Sequence, residues 1–278
     1  MRSRLGLRSL LLSFVLLASQ DLAFAQKAGP GESEIVKEGS FVVYSELDLE
    51  KERARTIAAR VKAAYDFVAS EQGWAGDQVL EHDVGVRVVT EERMKEIASK
   101  KTKGVTLDRN TFAMTAALLE GERGAHVIAH ELTHLQDRRH LEAKGAKLPH
   151  WFKEGRAIAM GRAYEIKLGK LDARYEASIA RIGSSMGAAE AKRMLEDEAY
   201  LSEKKMANVA RMEALGFLFL EFVRVRYPCE SFEHGLARVV VAVGKGDTLE
   251  EAFATKLGVK LAEARDAFYK KLDAAHPP

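Results

Sequence analysis

The feature that most constrains this chain is a change of pattern near residue 122. Between residues 122 and 272 almost every segment carries apolar residues at helical spacing, with breaks near 145–149, 183–187, 227–228 and 244–246 where glycine and proline gather. The text before it is different. Residues 41–45 (Phe-Val-Val-Tyr-Ser) and 84–89 (Val-Gly-Val-Arg-Val-Val) are β-branched or aromatic and bounded by polar residues, so they predict strands, and residues 111–117 predict a third. Between the first two, Ile57, Val61, Ala64, Tyr65 and Val68 recur at helical spacing, which predicts a helix from Asp48, as N-cap, to Gln72, with Gly73 ending it. A short helix follows over 91–100. An α+β fold is therefore expected, with a small mixed α/β lobe and short sheet over about 41–140 and a mostly α-helical lobe over about 150–273.

The N-terminus reads as an export signal. Arg2, Arg4 and Arg8 form a basic head, residues 9–19 are almost wholly apolar, and Ala23-Phe24-Ala25 supplies a small-x-small cleavage pattern. The apolar run is too short to span a bilayer as a stable helix. Residues 1–25 are thus expected to be removed and 26–40 to form a linker before one domain over 41–275. Periplasmic or extracellular placement follows, with no stable membrane span after cleavage. The formal charge of +2 falls to zero once that segment's three arginines and Asp21 are gone, so no basic excess argues for nucleic acid. Cys229 is the only cysteine, which excludes an internal disulfide. Its apolar surroundings predict a packed thiol rather than a nucleophile.

The chemistry gathers on His130-Glu131-Leu132-Thr133-His134. On a helix, residues four apart lie about 40° from each other around the axis and one turn apart along it. Two imidazoles so placed can bind one ion from one face. Glu131, rotated about 60° from His134, stands beside the ion as the general base toward water. Ile128, Leu132 and Leu135 form the opposite, apolar stripe that anchors the helix. A catalytic zinc site takes three protein ligands. Twenty residues after His134 comes Glu154, in Pro149-His150-Trp151-Phe152-Lys153-Glu154-Gly155-Arg156-Ala157, where Pro149 favours a turn and Trp151 onward reads as a new helix. The small Ala157, on the same face, allows close approach to the first helix. A rival third ligand is His140, six residues after His134; that spacing resembles the metzincin peptidases, and the resemblance implies a chain reversal, usually at a glycine and here at Asp137, and a methionine turn for which Met186 would stand. His126, about 12 Å of axis before His134, cannot share one ion with both histidines, and is expected to pack or to make an outer hydrogen bond.

This spacing, with its Glu-x-x-Ala pattern, resembles the gluzincin peptidases, the thermolysin type among them. The text around residues 125–160 is most similar to the peptidase MA-like domain, and the likeness extends through Asp247-Thr248-Leu249-Glu250-Glu251-Ala252-Phe253 to the last helix. The resemblance implies a zinc metallopeptidase with His130, His134 and Glu154 as Zn2+ ligands and Glu131 as base and proton shuttle. It implies a peptide or protein substrate and an oxyanion donor from the helical lobe. Candidates for that donor are Tyr164, Tyr200 and Arg211, the last where related domains favour tyrosine. Asp137 is a candidate to orient His134. The aspartate that thermolysin-like enzymes carry four residues after the third ligand is replaced by Ile158. Residues 111–117 are the candidate edge strand for substrate backbone. A different class of function is a pseudo-peptidase, a zinc-binding scaffold without turnover, against which the intact Glu131 argues.

Overall fold

A computed structural model describes residues 33–73, 83–98, 104–121, 123–142, 145–197, 207–229 and 231–275. The export-signal reading of 1–25, the first part of the linker and the candidate Tyr200 lie outside the described residues. The fold is α+β: a five-stranded sheet lies on the N-terminal side and helices make up the rest.

The sheet has the order β1-β2-β3-β5-β4, with β1 Ser33–Glu38, β2 Phe41–Ser45, β3 Val84–Val89, β4 Gly104–Thr106 and β5 Thr111–Thr115. β2, β3 and β5 are mutually parallel, and β1 and β4 pair antiparallel at the two edges. Helix α1 (Lys51–Glu71) covers one face. Its Ile57, Val61 and Val68 pack with Phe41, Val43, Val84, Val86, Val88, Phe112 and Met114 in a first core. On the other face, α2 (Glu91–Ile97) closes a small cluster of Val89, Met94 and Ala113.

Several boundaries differ from expectation. Asp48 is not the cap of α1: the helix begins at Lys51 after Glu50, which makes no side-chain cap. Leu49 and Ala54, flanking that start, are both buried in the first core, so burial sets the entry of the chain where a polar cap was expected. α2 ends at Ile97, because Ala98 is already extended. The strand expected over 111–117 stops at Thr115, and the helix formers Ala-Ala-Leu-Leu-Glu make α3 (Ala116–Glu120). Part of the expected linker, residues 33–38, is strand β1, in which only Val36 is buried. An edge strand so exposed has no alternation to read.

The helical half comprises α4 (Gly124–Leu141), α5 (His150–Lys167), α6 (Ala173–Ser184), α7 (Ala188–Glu196), α8 (Ala207–Arg226), α9 (Phe232–Lys245), α10 (Leu249–Leu257) and α11 (Leu261–Ala275). A second core joins Trp151 and Phe152 to Phe219, Val240, Phe253 and Phe268. Met186 is fully buried there, so it packs the core and forms no methionine turn at a metal.

α4 and α5 tie the two cores together. α4 buries Ile128, Leu132 and Leu135 in the first core. α5 begins in the second core with Trp151 and Phe152 and ends in the first with Met160 and Tyr164. Close backbone approach fixes α5 against α8: a Cβ on Gly216 would lie 1.9 Å from the Trp151 carbonyl oxygen, and one on Gly155 would lie 2.4 Å from the Gly216 carbonyl carbon. Only glycine fits both positions. The contact seats the α5 turn that carries Glu154.

Candidate metal centre

The apolar stripe of α4 faces the sheet, and this turns His130 and His134 toward α5. Their Nε2 atoms lie 3.0 Å apart. The Glu154 Oε2 of α5 is 3.4 Å from the His130 Nε2 and 3.3 Å from the His134 Nε2. These three side chains are the group among the described residues whose donor atoms could hold a metal ion. Ligand atoms at tetrahedral angles and zinc-like bond lengths stand about 3.3 Å apart, so the spacing fits such an ion. All three side chains are less than a fifth exposed. Burial lowers the basicity of the His130 imidazole, but its bond to Glu154 and the Glu131 charge outweigh that and raise its pKa. Burial likewise works to raise the Glu154 pKa, yet the charges and hydrogen bonds of His134 and His130 hold it well below the carboxylate range. Two nitrogens and one oxygen converge with a net attraction for positive charge between them.

Glu131, the residue after His130 on α4, is buried. Its Oε2 accepts a hydrogen bond from the Thr106 hydroxyl at 2.8 Å, a contact from strand β4. β5, the expected edge strand, lies between β3 and β4, so the edge beside α4 is β4. That three-residue strand carried too little pattern to be read from sequence.

Asp137 does not orient His134. Its carboxylate pairs with the Arg156 guanidinium of α5, both residues being about 2% exposed. Burial pulls the Arg156 pKa down to about 9, still high enough to keep it charged at neutral pH. α4 runs without a break through Asp137 to Leu141, so the reversal a His140 ligand needs is absent. His140 lies about 9 Å of helix axis beyond His134 and outside the metal-capable group. Burial, helped by Arg139 and Lys245, lowers its pKa. His126 makes an outer hydrogen bond: its Nδ1 is 3.1 Å from the Glu165 Oε2, and its ring stacks toward His130 at 6.3 Å.

Neither described oxyanion candidate reaches the cluster. Tyr164 is packed in the first core, 5.1 Å from the Phe67 ring. Arg211 is bonded to Glu190 of α7 at 2.8 Å. The charged α8 side chain found beside the site is Glu213, two residues on and so about 200° around the helix. It stands 3.8 Å from the His150 Nε2, while the His150 Nδ1 lies 3.9 Å from the Glu154 Oε1. His150 was legible in principle, since it precedes Glu154 by the same four residues that separate the two ligand histidines. Glu213 and Tyr175, whose ring packs edge-on against His126 at 4.9 Å, gave no local signal. Cys229 is exposed in the break between α8 and α9, where the backbone turns at the surface, so the expected packed thiol is not found.

Compared with models of known protein families and with curated proteins, the chain matches none.

Proposed function

We propose that this chain is an exported zinc-dependent peptidase of the gluzincin type, acting on peptide bonds of peptides or proteins. The convergence of His130, His134 and Glu154 on one point, with Glu131 between the two histidines on the same turn of α4, carries this reading. Two imidazoles and one carboxylate are a donor set suited to zinc, and three protein ligands leave a position for water and substrate. When bound, zinc polarises the scissile carbonyl and lowers the pKa of the attacking water. The chain's own part begins with Glu131. With Oε2 tied to Thr106, the Oε1 atom accepts the proton and returns it to the leaving amine. The outer edge of β4 suits an extended peptide added as a further strand. The signal pattern in residues 1–25 supports work in the periplasm or outside the cell.

One observation favours a second reading, a zinc-binding scaffold without efficient turnover. α8 presents the Glu213 carboxylate toward His150 and Glu154, and a carboxylate cannot stabilise an oxyanion. Replacing Glu131 by Gln separates the readings, with zinc content measured beside cleavage of a mixed peptide library. The peptidase reading expects cleavage lost and zinc retained. A zinc-loaded wild type that cleaves nothing in the library supports the scaffold.

A further inference from the structure

We infer that the edge strand β4 is a positioning device for the base, with Thr106 and Gly104 together fixing the Glu131 side chain; this rests on the peptidase reading of the site. Glu131 is only 5% exposed. A buried carboxylate is costly unless hydrogen-bonded, and a glutamate chain has three torsions through which to wander. The Thr106 hydroxyl answers both problems. Its single proton faces two acceptors of Glu131, Oε2 at 2.8 Å and the backbone carbonyl oxygen at 3.1 Å, and the shorter contact is to the carboxylate. Thr106 is itself buried, so its hydroxyl has little water to exchange for this bond.

Gly104 supplies the second constraint. Residues two apart on a strand face the same side, so Gly104 looks toward α4 with Thr106. A Cβ there would lie 2.8 Å from the Val127 Cγ1 and 3.0 Å from both the Cγ and the Oε1 of Glu131. The bare Cα therefore forms a wall against the base, which a larger residue would displace. Val105, between them, points the other way and packs with the cluster of Val89, Met94 and Ala113. Antiparallel pairing holds the register, Gly104 opposite Met114 and Thr106 opposite Phe112. The strand is thus anchored on its far face and presents a donor and a wall on its near face. One oxygen of the base is occupied, and the other is held in one place, as a general base requires.

The experiment uses the mature zinc-loaded chain and compares Thr106→Val, Thr106→Ser and Gly104→Ala. Thr106→Val is expected to keep one zinc and a KM within about twofold while kcat falls about 10- to 100-fold, the usual scale for losing a supporting partner. Thr106→Ser restores kcat to within about threefold, because the donor returns. Gly104→Ala lowers kcat with the hydroxyl intact, and it serves if Thr106→Val does not fold. A threonine that only satisfies a buried group would lower thermal stability in Thr106→Val, spare it in Thr106→Ser and leave kcat per zinc unchanged in both, which overturns the inference. Cobalt in place of zinc gives a readout independent of turnover. The visible spectrum of Thr106→Val should move in the same sense as that of Glu131→Gln, while Thr106→Ser keeps the wild-type spectrum. If no peptide is cleaved yet the spectra respond so, the peptidase reading fails and the positioning stands. If the Thr106→Val spectrum matches wild type, the positioning fails whatever the activity.

Discussion

At Glu154 a single carboxylate oxygen faces two imidazole nitrogens, at 3.4 Å and 3.3 Å. Removing that charge leaves two histidines and no counter-ion, whereas His140 belongs to another part of the helix. Glu154→Gln is therefore expected to weaken zinc binding by about 100-fold or more, with His140→Gln changing it less than threefold, as read by competition with a chelator. Zinc surviving loss of Glu154 and not of His140 would reverse the ligand assignment. The lone cysteine offers a pH prediction. Although Cys229 is exposed, partial loss of solvent around the thiol, then the Glu233 charge, raises its pKa above the ordinary value, so the folded protein holds less thiolate at a given pH than the unfolded chain. Since the thiolate reacts, alkylation of native protein at pH 8 should be slower than in denaturant. Its rate should still climb with pH where the denatured chain's rate has levelled off. Equal profiles would show an unperturbed thiol.

At the scale of elements, α4 and α5 are joined twice, by the metal-capable trio and by the buried Asp137–Arg156 pair. That pair is incompletely satisfied: the Asp137 Oδ2 and the Arg156 Nε and Nη2 are buried with no hydrogen-bond partner among the described residues. Replacing one partner alone strands a charge in the interior. Asp137→Leu or Arg156→Met is expected to cost about 3–5 kcal/mol in denaturant unfolding, and the double replacement to recover most of it. Additive losses in the double variant would refute the coupling. These helices also show what was legible in the sequence. His130, Glu131 and His134 could be found because a ligand pair four apart is a local pattern that the helix makes spatial. Glu154 followed from its own local text. Thr106, Tyr175 and Glu213 reach the neighbourhood of the site through tertiary packing alone, and no local period encodes that. Arg211 was misplaced for the same reason, since the rotation of α8 is set by the Gly155–Gly216 contact and the buried Phe219 and Leu220. Strands β1 and β4 escaped because one is exposed and the other is three residues long.

Across the whole molecule, the metal would join residues anchored in different cores. His130 and His134 stand on a helix rooted in the first core, and Glu154 lies two residues after Phe152 of the second. Anything bound only by the folded form adds to stability by mass action. Chelation should therefore lower the melting temperature, and the shift should vanish in Glu154→Gln. No helix among the described residues is long and apolar enough to cross a membrane. The passage of α5 from one core to the other has a further consequence for the polypeptide as two pieces. A backbone cut within residues 143–149 would leave α4 with the first fragment and α5 with the second. The first fragment would then lack Met160 and Tyr164, so its core would stay open until its complement arrived. Two such fragments, each poorly folded alone, should recombine on mixing, and more tightly with zinc than without it.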